Sequence, residues 1–263
     1  MQEQPRERSV WSAPRLILAA AIIVVFVYLY GEWNSKILQM ISSGLPSLLS
    51  FAAAFIAFVA LLRNGVKRGD RWTWIWACAS LAMFLVFLGE LVDVFYSLIL
   101  RVPIPVPSVA DVFFFAAYPF FLWALLSLMW PFRGALSTKD LALGLAVPVL
   151  VVLVLAFVSL PYIAQQHTLA SVVVSLAYPF LDVIMLCTAI PAFLVIREGT
   201  FWRPARFLII GVTLILAGDI LFDYSFLRGM GYPTPSNPFE ILSLWAYLAF
   251  GLGFYLKLRE PRI

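Results

Sequence analysis

Carboxylates inside apolar stretches are the residues of this sequence best suited to chemistry. Glu90 and Asp93 are three residues apart, and both fall on one face of a helix. Asp219 and Asp223 form a second such pair, four residues apart, and Asp182 lies near the middle of another apolar stretch. A carboxylate at membrane depth costs about 2.5–3.5 kcal/mol and usually faces a cavity or a partner. We therefore expect these acids to bind an ion or a small molecule, or to relay a proton.

Two more acids stand where helices are expected to begin, and each is followed by a tyrosine. Asp111 precedes Tyr118 by seven residues, which is two helical turns. Glu240 precedes Tyr247 by the same interval. Residues at this spacing share a helix face, so we expect both tyrosines to line a pocket with the acids.

Tyr178 lies one helical turn before Asp182 and is expected to reach its carboxylate. The candidate ligand-binding residues are therefore Glu90, Asp93, Asp111, Tyr118, Tyr178, Asp182, Asp219, Asp223, Glu240 and Tyr247. Carboxylate oxygens suit Ca²⁺ or Mg²⁺, but nothing in their spacing selects a metal or another cofactor.

Structural roles compete with this interpretation at the two helix starts. Asp111 follows Ser108 by three residues, the spacing of a capping box. Glu240 follows Pro238, and proline favours the first position of a helix. Both acids are thus candidates for helix caps as well as for ligand contacts.

The remaining acids also have structural alternatives. Glu90, Asp93 and Asp223 fit a wet membrane interface, where Arg101 or Arg228 would be their partners. Asp182 and Asp219, the two acids nearest mid-span, fit internal hydrogen bonds to Tyr, Ser or Trp.

Signatures of enzymes are absent from the sequence. It contains no HExxH, GxSxG, P-loop or GxGxxG followed by an acid. The single histidine, His167, argues against multi-histidine metal and haem sites, and Cys78 and Cys187 lie inside apolar stretches. No nucleophile and base are paired, so we expect a protein that is not an enzyme.

The composition places these residues in a membrane protein. The chain of 263 residues is 63% apolar and 12% charged, with a mean hydropathy of +0.97, whereas soluble domains are about 45–50% apolar and about 25% charged. The net charge of +4 comes from basic residues in short loops and implies no nucleic-acid partner. We predict an all-α integral membrane protein, a single bundle over residues 1–263 in contact with the lipid bilayer.

Eight apolar stretches are long enough to be transmembrane helices. The first continues a run that begins at Ala13 and lacks a cleavage signal, so we expect it to be retained. The predicted spans are Leu16–Tyr30, Gly44–Leu62, Trp72–Leu100, Ser108–Trp130, Leu141–Ile163, Ala170–Ile196, Phe207–Phe226 and Pro238–Lys257.

The distribution of Lys and Arg predicts the orientation. Fifteen of the 18 lie at the ends of the chain or in alternate loops, and only Lys36, Arg101 and Arg228 fall in the others. Basic residues favour the cytoplasmic side, so both termini are expected in the cytoplasm of a prokaryotic cell membrane. The candidate site then belongs to the opposite, extracytoplasmic half.

An internal repeat is indicated by an ungapped shift of 129 residues. The shift places Gly89 on Gly218 and Glu90 on Asp219. It also places Asp111 on Glu240 and Tyr118 on Tyr247. We therefore predict two parallel four-helix repeats, over residues 13–130 and 141–257.

Short acid and Tyr-Pro patterns recur along the chain, at Pro107–Pro119, Leu176–Asp182, Gly218–Asp219 and Leu244–Tyr247. In these patterns, the region Gly89–Phe254 resembles the multi-span input modules that precede GGDEF diguanylate cyclases and some sensor kinases of bacteria. The resemblance implies a sensory role. No output domain follows in this sequence, so a signal would pass to a separate membrane or cytoplasmic protein.

Three functions follow from these observations. The first is a sensor or receptor-like module that binds an ion or small molecule in an acidic and aromatic pocket open to the extracytoplasmic side. The second is a secondary transporter or proton-coupled carrier, for which repeats and mid-span acids are typical. The third is an accessory subunit of a larger membrane complex.

Overall fold

The protein is all-helical, with helices joined by turns and no strand, over the residues that its computed structural model describes, which are 12–31, 35–64, 70–163, 168–196, 203–227 and 240–260. A π-helical turn, Phe95–Leu100, extends the third helix, and a 3₁₀ turn, Trp130–Ala135, extends the fourth. The α-helices are α1 (Ser12–Gly31), α2 (Ser35–Asn64), α3 (Arg71–Val94), α4 (Val109–Met129), α5 (Thr138–Ile163), α6 (Leu169–Ile196), α7 (Arg203–Leu227) and α8 (Glu240–Arg259).

Several helices are long and apolar enough to cross a membrane. Six such stretches lie within the described ranges: Gly44–Arg63, Arg71–Leu100, Val109–Gly134, Leu169–Ile196, Arg203–Leu221 and Glu240–Arg259. Helix α1 adds a shorter apolar stretch, Arg15–Val27. The chain is therefore a multi-pass membrane protein whose apolar helices face lipid, and the predicted all-α class is confirmed.

Helix boundaries follow the sequence signals closely, with two exceptions. Asp70 caps α3 by accepting hydrogen bonds from the backbone N–H groups of Trp72 (3.1 Å) and Thr73 (3.2 Å). Helix α2 begins at Ser35, well before the predicted start of its span, and includes Pro46. The π-helical turn after α3 has no signal in the apolar pattern.

Six of the helices enclose a common interior. In the order α2, α3, α4, α6, α7, α8, each packs against the next, and α8 packs back against α2. Helix α1 lies outside this ring against α2 and α8, and α5 lies outside it against α6 and α7. Side chains that point into the ring from different helices can therefore meet.

The centre of the ring is packed with apolar side chains. The rings of Phe121 on α4 and Phe250 on α8 stack there, with centroids 5.3 Å apart and an interplanar angle of 19°. Gly89 lets α3 approach α4 closely, because a Cβ at this position would lie 2.5 Å from the ring of Phe114. This core fixes the positions of the polar side chains above it.

The two ends of the ring differ in charge. We call the end where α3 finishes and α4, α6 and α8 begin the acidic end, because all the candidate acids lie in that half of their helices. At the opposite, basic end, α8 finishes with Lys257 and Arg259 and α7 starts with Arg203. The candidate site is thus confined to one end of the bundle.

Candidate functional site: a tyrosine–carboxylate cluster

The most deeply buried acid of the described chain is Asp182 on α6. Its residue surface is 1% exposed. The hydroxyl of Tyr118, on the neighbouring helix α4, donates a hydrogen bond of 2.5 Å to its Oδ1 atom. A hydrogen bond to a carboxylate is stronger than one between neutral groups, so this contact ties α4 to α6.

A second tyrosine–carboxylate bond joins the same two helices in the opposite sense. The hydroxyl of Tyr178 on α6 donates to Oδ1 of Asp111 on α4 at 2.6 Å. The later residue on α4, Tyr118, pairs with the later residue on α6, Asp182. These helices therefore run parallel.

The expectation that Tyr178 bonds to Asp182 is therefore wrong. Side chains on a helix lean toward its N-terminus, so Tyr178 leans away from an acid one turn later and toward the start of α4. The hydroxyl that reaches Asp182 comes from Tyr118 instead.

Asp111 caps α4, as predicted, and also contacts α6. Its Oδ2 atom accepts a hydrogen bond of 2.6 Å from the backbone N–H of Ser108 and so caps α4. Its other oxygen accepts from Tyr178. The cap fixes the orientation of the carboxylate and presents it to α6.

A third bond links α8 to α3. The hydroxyl of Tyr247, a residue only 4% exposed, donates to Oε1 of Glu90. Glu240, the first residue of α8, interacts electrostatically with the same carboxylate. The predicted cap of α8 by Asn237 and Pro238 lies outside the described residues.

Asp219 on α7 is close enough to Tyr118, Tyr178 and Tyr247 to interact electrostatically with all three. Asp223 was predicted to share a helix face with Asp219, and its side chain lies outside the described part of α7. Asp219 thus extends the cluster to a fifth helix.

Asp93 differs from the other acids of the cluster. Its Oδ1 atom is buried and accepts no hydrogen bond. Its nearest charged neighbours are Glu90 and Asp111, both of the same sign. A buried oxygen without a donor is costly, so this atom is suited to accept a hydrogen bond or a cation from a ligand.

Nine of the ten candidate residues therefore lie at one site, drawn from α3, α4, α6, α7 and α8. The sequence did not single out Phe115, whose ring lies against Tyr178 with centroids 4.5 Å apart. The signal for it was its position one turn before Tyr118, on the same face of α4. Phe115 gives the site an apolar wall beside its hydroxyl and carboxylate groups.

Basic residues are missing from the helix segments that build the cluster. The sequences of α4 and α6 contain no Lys, Arg or His, and neither does the acidic half of α3, α7 or α8. Within the described residues, no three His, Cys, Asp or Glu side chains are grouped as ligands of a metal ion. The carboxylates are thus spread around the interior and separated by aromatic hydroxyl groups.

No family model, curated protein or solved structure matches this chain. The resemblance to bacterial input modules stays a prediction from short motifs, and the site must be interpreted from its own geometry.

Proposed function

We propose that the protein is a membrane-embedded sensor or receptor-like module that binds a positively charged ion or small molecule in the tyrosine–carboxylate cluster. The supporting observation is the convergence of six acids and three tyrosines from five helices, in segments without a basic residue. The bound ligand would alter the helix packing, and a separate protein partner would receive the signal.

The charge of the cluster favours a cationic ligand. Several carboxylates buried together repel one another, and burial removes the water that would screen them. Tyrosine hydroxyls supply only part of the compensation, through hydrogen bonds. Protons or a cation must supply the rest, and Oδ1 of Asp93 is a buried oxygen suited to receive either.

Aromatic rings favour an organic cation over a bare metal ion. The rings of Phe115, Tyr178 and Tyr118 adjoin one another, with centroids 4.5 and 6.5 Å apart along the series. An ammonium group is attracted both to ring faces and to carboxylates. The dispersed acids do not form a compact metal site among the described residues.

The architecture that we propose for this module has eight spans in two parallel four-helix repeats. Contacts related by the 129-residue shift support it. Gly89 packs on Phe114, and the shifted pair, Gly218 and Ser243, is also in close contact, with Oγ of Ser243 3.0 Å from the Cβ position of the glycine. The same helix-to-helix fit thus occurs in each half.

The stacked rings of Phe121 and Phe250 are themselves related by the shift. A residue that meets its own equivalent lies on the axis of a two-fold repeat. Because each half contains an even number of helices, the halves point the same way and the axis follows the membrane normal.

A third pair of contacts supports the same relationship between α2 and α6. Tyr178 packs on Phe115, and the shift carries these residues to Leu49 and Leu244. Leu49 packs against the apolar cluster that contains buried Val24 and Leu244. The position of Asp182 corresponds to Ala53, so only one half carries the polar pair.

The orientation in the membrane is proposed from charge. Basic residues concentrate at the end opposite the cluster, which favours the cytoplasm of a prokaryotic cell. The acidic end would then face outward and receive a ligand from outside the cell.

Ligand binding is tested by thermal unfolding of the detergent-purified protein with tetramethylammonium, Na⁺ or Ca²⁺ as probes. Tetramethylammonium is expected to raise the Tm of the wild type, as any ligand specific for the folded state does. The Asp182→Asn plus Asp219→Asn variant should lose this shift, and the Glu260→Gln control at the basic end should keep it. An equal shift in all three proteins would contradict the assignment.

A proton-coupled carrier is the second candidate, because Asp182 is almost fully buried within a helix that contains Pro179 and Pro191. Uptake of a labelled cation into proteoliposomes, driven by a pH gradient, would favour the carrier over the sensor. Stoichiometric co-purification of another membrane protein in mild detergent would favour an accessory subunit.

A further inference from the structure

The three tyrosine–carboxylate bonds all connect the first half of the chain, α1–α4, to the second half, α5–α8. We propose that they form a latch, which holds the acidic ends of the two halves together and lets them separate when the bonds are broken. The latch deepens the proposed function and rests on it for the identity of the trigger. A cation would compete with the hydroxyls for the same oxygens.

The bonds cross the boundary at two places on the ring. Tyr118 to Asp182 and Tyr178 to Asp111 both cross between α4 and α6. Tyr247 to Glu90 crosses between α8 and α3. Two different helix pairs, α4–α6 and α3–α8, are therefore bonded across the boundary at the acidic end.

Toward the basic end, the halves are held by a different kind of contact. The Phe121–Phe250 stack lies three residues beyond Tyr118 and Tyr247 along α4 and α8. Below it, the interior is apolar, and its fully buried side chains include Leu125, Leu128, Ile196, Leu208 and Phe254. Close-packed interiors deform little, so the stack is the natural pivot for a motion that opens only the acidic end.

Polar bonds suit a switch because they can be exchanged. Each tyrosine hydroxyl donates a hydrogen bond to a carboxylate, and a bound cation or an added proton can replace that donor without breaking the apolar core. The helices of the two halves would then tilt about the stack. This couples occupancy of the site to helix position at the ends of the bundle.

The test measures distances between spin labels in the ligand-free protein, with Cys78 and Cys187 replaced by Ala. One label pair, at Val112→Cys and Leu176→Cys, reports on α4 and α6 at the acidic end. Both sites are exposed, at 65% and 50%. A second pair, at Trp123→Cys and Phe193→Cys, reports on the same helices toward the basic end.

The Tyr118→Phe plus Tyr178→Phe variant keeps both rings and removes both hydroxyls. We expect the acidic-end distance to broaden and lengthen by more than about 2 Å, the scale of helix shifts in switches, while the basic-end distance stays unchanged. Tyr255→Phe, which removes a hydroxyl at the basic end, should change neither. An unchanged acidic-end distance, or equal shifts at both ends, would overturn the latch.

Measurements on the same labelled protein test the latch and the proposed ligand independently. A longer acidic-end distance in the tyrosine variant supports the latch whatever tetramethylammonium does. If tetramethylammonium lengthens this distance in the wild-type background, the cation is also a trigger. If tetramethylammonium binds the wild type no more tightly than it binds the Asp182→Asn plus Asp219→Asn variant, the proposed function fails and the latch remains.

Discussion

Tyr118 and Asp182 are separated by 64 residues in the chain, and a hydrogen bond of 2.5 Å joins them across the boundary between α4 and α6. Replacing Tyr118 with Phe leaves a buried carboxylate without this donor, which costs about 1–3 kcal/mol. In an Asp182→Ala background, the same replacement should cost little, because the acceptor is gone.

A double-mutant cycle of these two changes, measured by chemical unfolding in detergent, should give a coupling of about 0.6–2 kcal/mol. Tyr118→Phe combined with Asp140→Asn serves as the control, because Asp140 lies in the first turn of α5, at the basic end. The effects of these two changes should be additive. Equal effects of Tyr118→Phe with and without Asp182 would show that the bond contributes nothing.

A side chain at position 89 is expected to clash with α4. An Ala at this position would place its Cβ 2.5 Å from the Phe114 ring, so α3 and α4 would have to move apart. We expect Gly89→Ala to lower the free energy of unfolding by about 1–3 kcal/mol. Gly44→Ala is the matched control, since a Cβ there meets nothing within 4 Å.

The steric cause is tested by Gly89→Ala in a Phe114→Leu background, where the smaller side chain should recover part of the lost stability. Thermal unfolding followed by tryptophan fluorescence measures all of these variants. If Phe114→Leu restores nothing, the glycine has a role other than close packing.

The cap of α3 predicts a dependence on pH. The hydroxyl of Thr73 donates to Asp70 at 2.5 Å, and this bond, with the two backbone N–H groups, lowers the pKa of the carboxyl below its usual value. A carboxyl with a lowered pKa stabilises the fold above about pH 4, and its contribution is lost as the pH falls through the folded-state value.

Asp70→Ala should therefore cost about 1 kcal/mol at pH 7 and less at pH 3, closer to the folded-state pKa, where protonation of the wild-type carboxyl begins to weaken the cap. Asp70→Asn, which still caps but does not titrate, is the control and should show no such convergence. Unfolding by denaturant at both pH values decides between the outcomes.

Trp245 predicts how α1 is attached. Its indole N–H donates to the backbone oxygen of Ala21 at 3.2 Å, and so joins α8 to a helix outside the ring. Trp245→Phe should leave the ring intact but raise hydrogen exchange in Arg15–Val27. Trp123→Phe, at a side chain 59% exposed, is the control and should leave this exchange unchanged.

The class of fold could be predicted from composition, because a chain this apolar has few ways to satisfy its backbone other than helices in lipid. The start of α4 could be predicted from the capping pattern of Ser108 and Asp111. The π-helical turn at Phe95–Leu100 could not be predicted, because it depends on packing between helices and leaves no period in the sequence.

The membership of the site was also largely predictable, because acids in apolar helices are rare and must be placed together or paired. The pairing of each tyrosine with its acid was not predictable. A helix face says only that Tyr178 and Asp182 are neighbours along α6, and the choice of Asp111 depends on the register between α4 and α6. That register is set by contacts remote in sequence.

The apolar pair Leu49 and Leu244 has a consequence for stoichiometry. These residues occupy the positions that Tyr178 and Phe115 hold in the other half, and Ala53 takes the place of Asp182. A protein assembled from two similar halves would ordinarily offer two equivalent cavities. In the proposed repeat, the α2 side carries apolar residues at these positions, so we expect saturation at one ligand molecule per polypeptide.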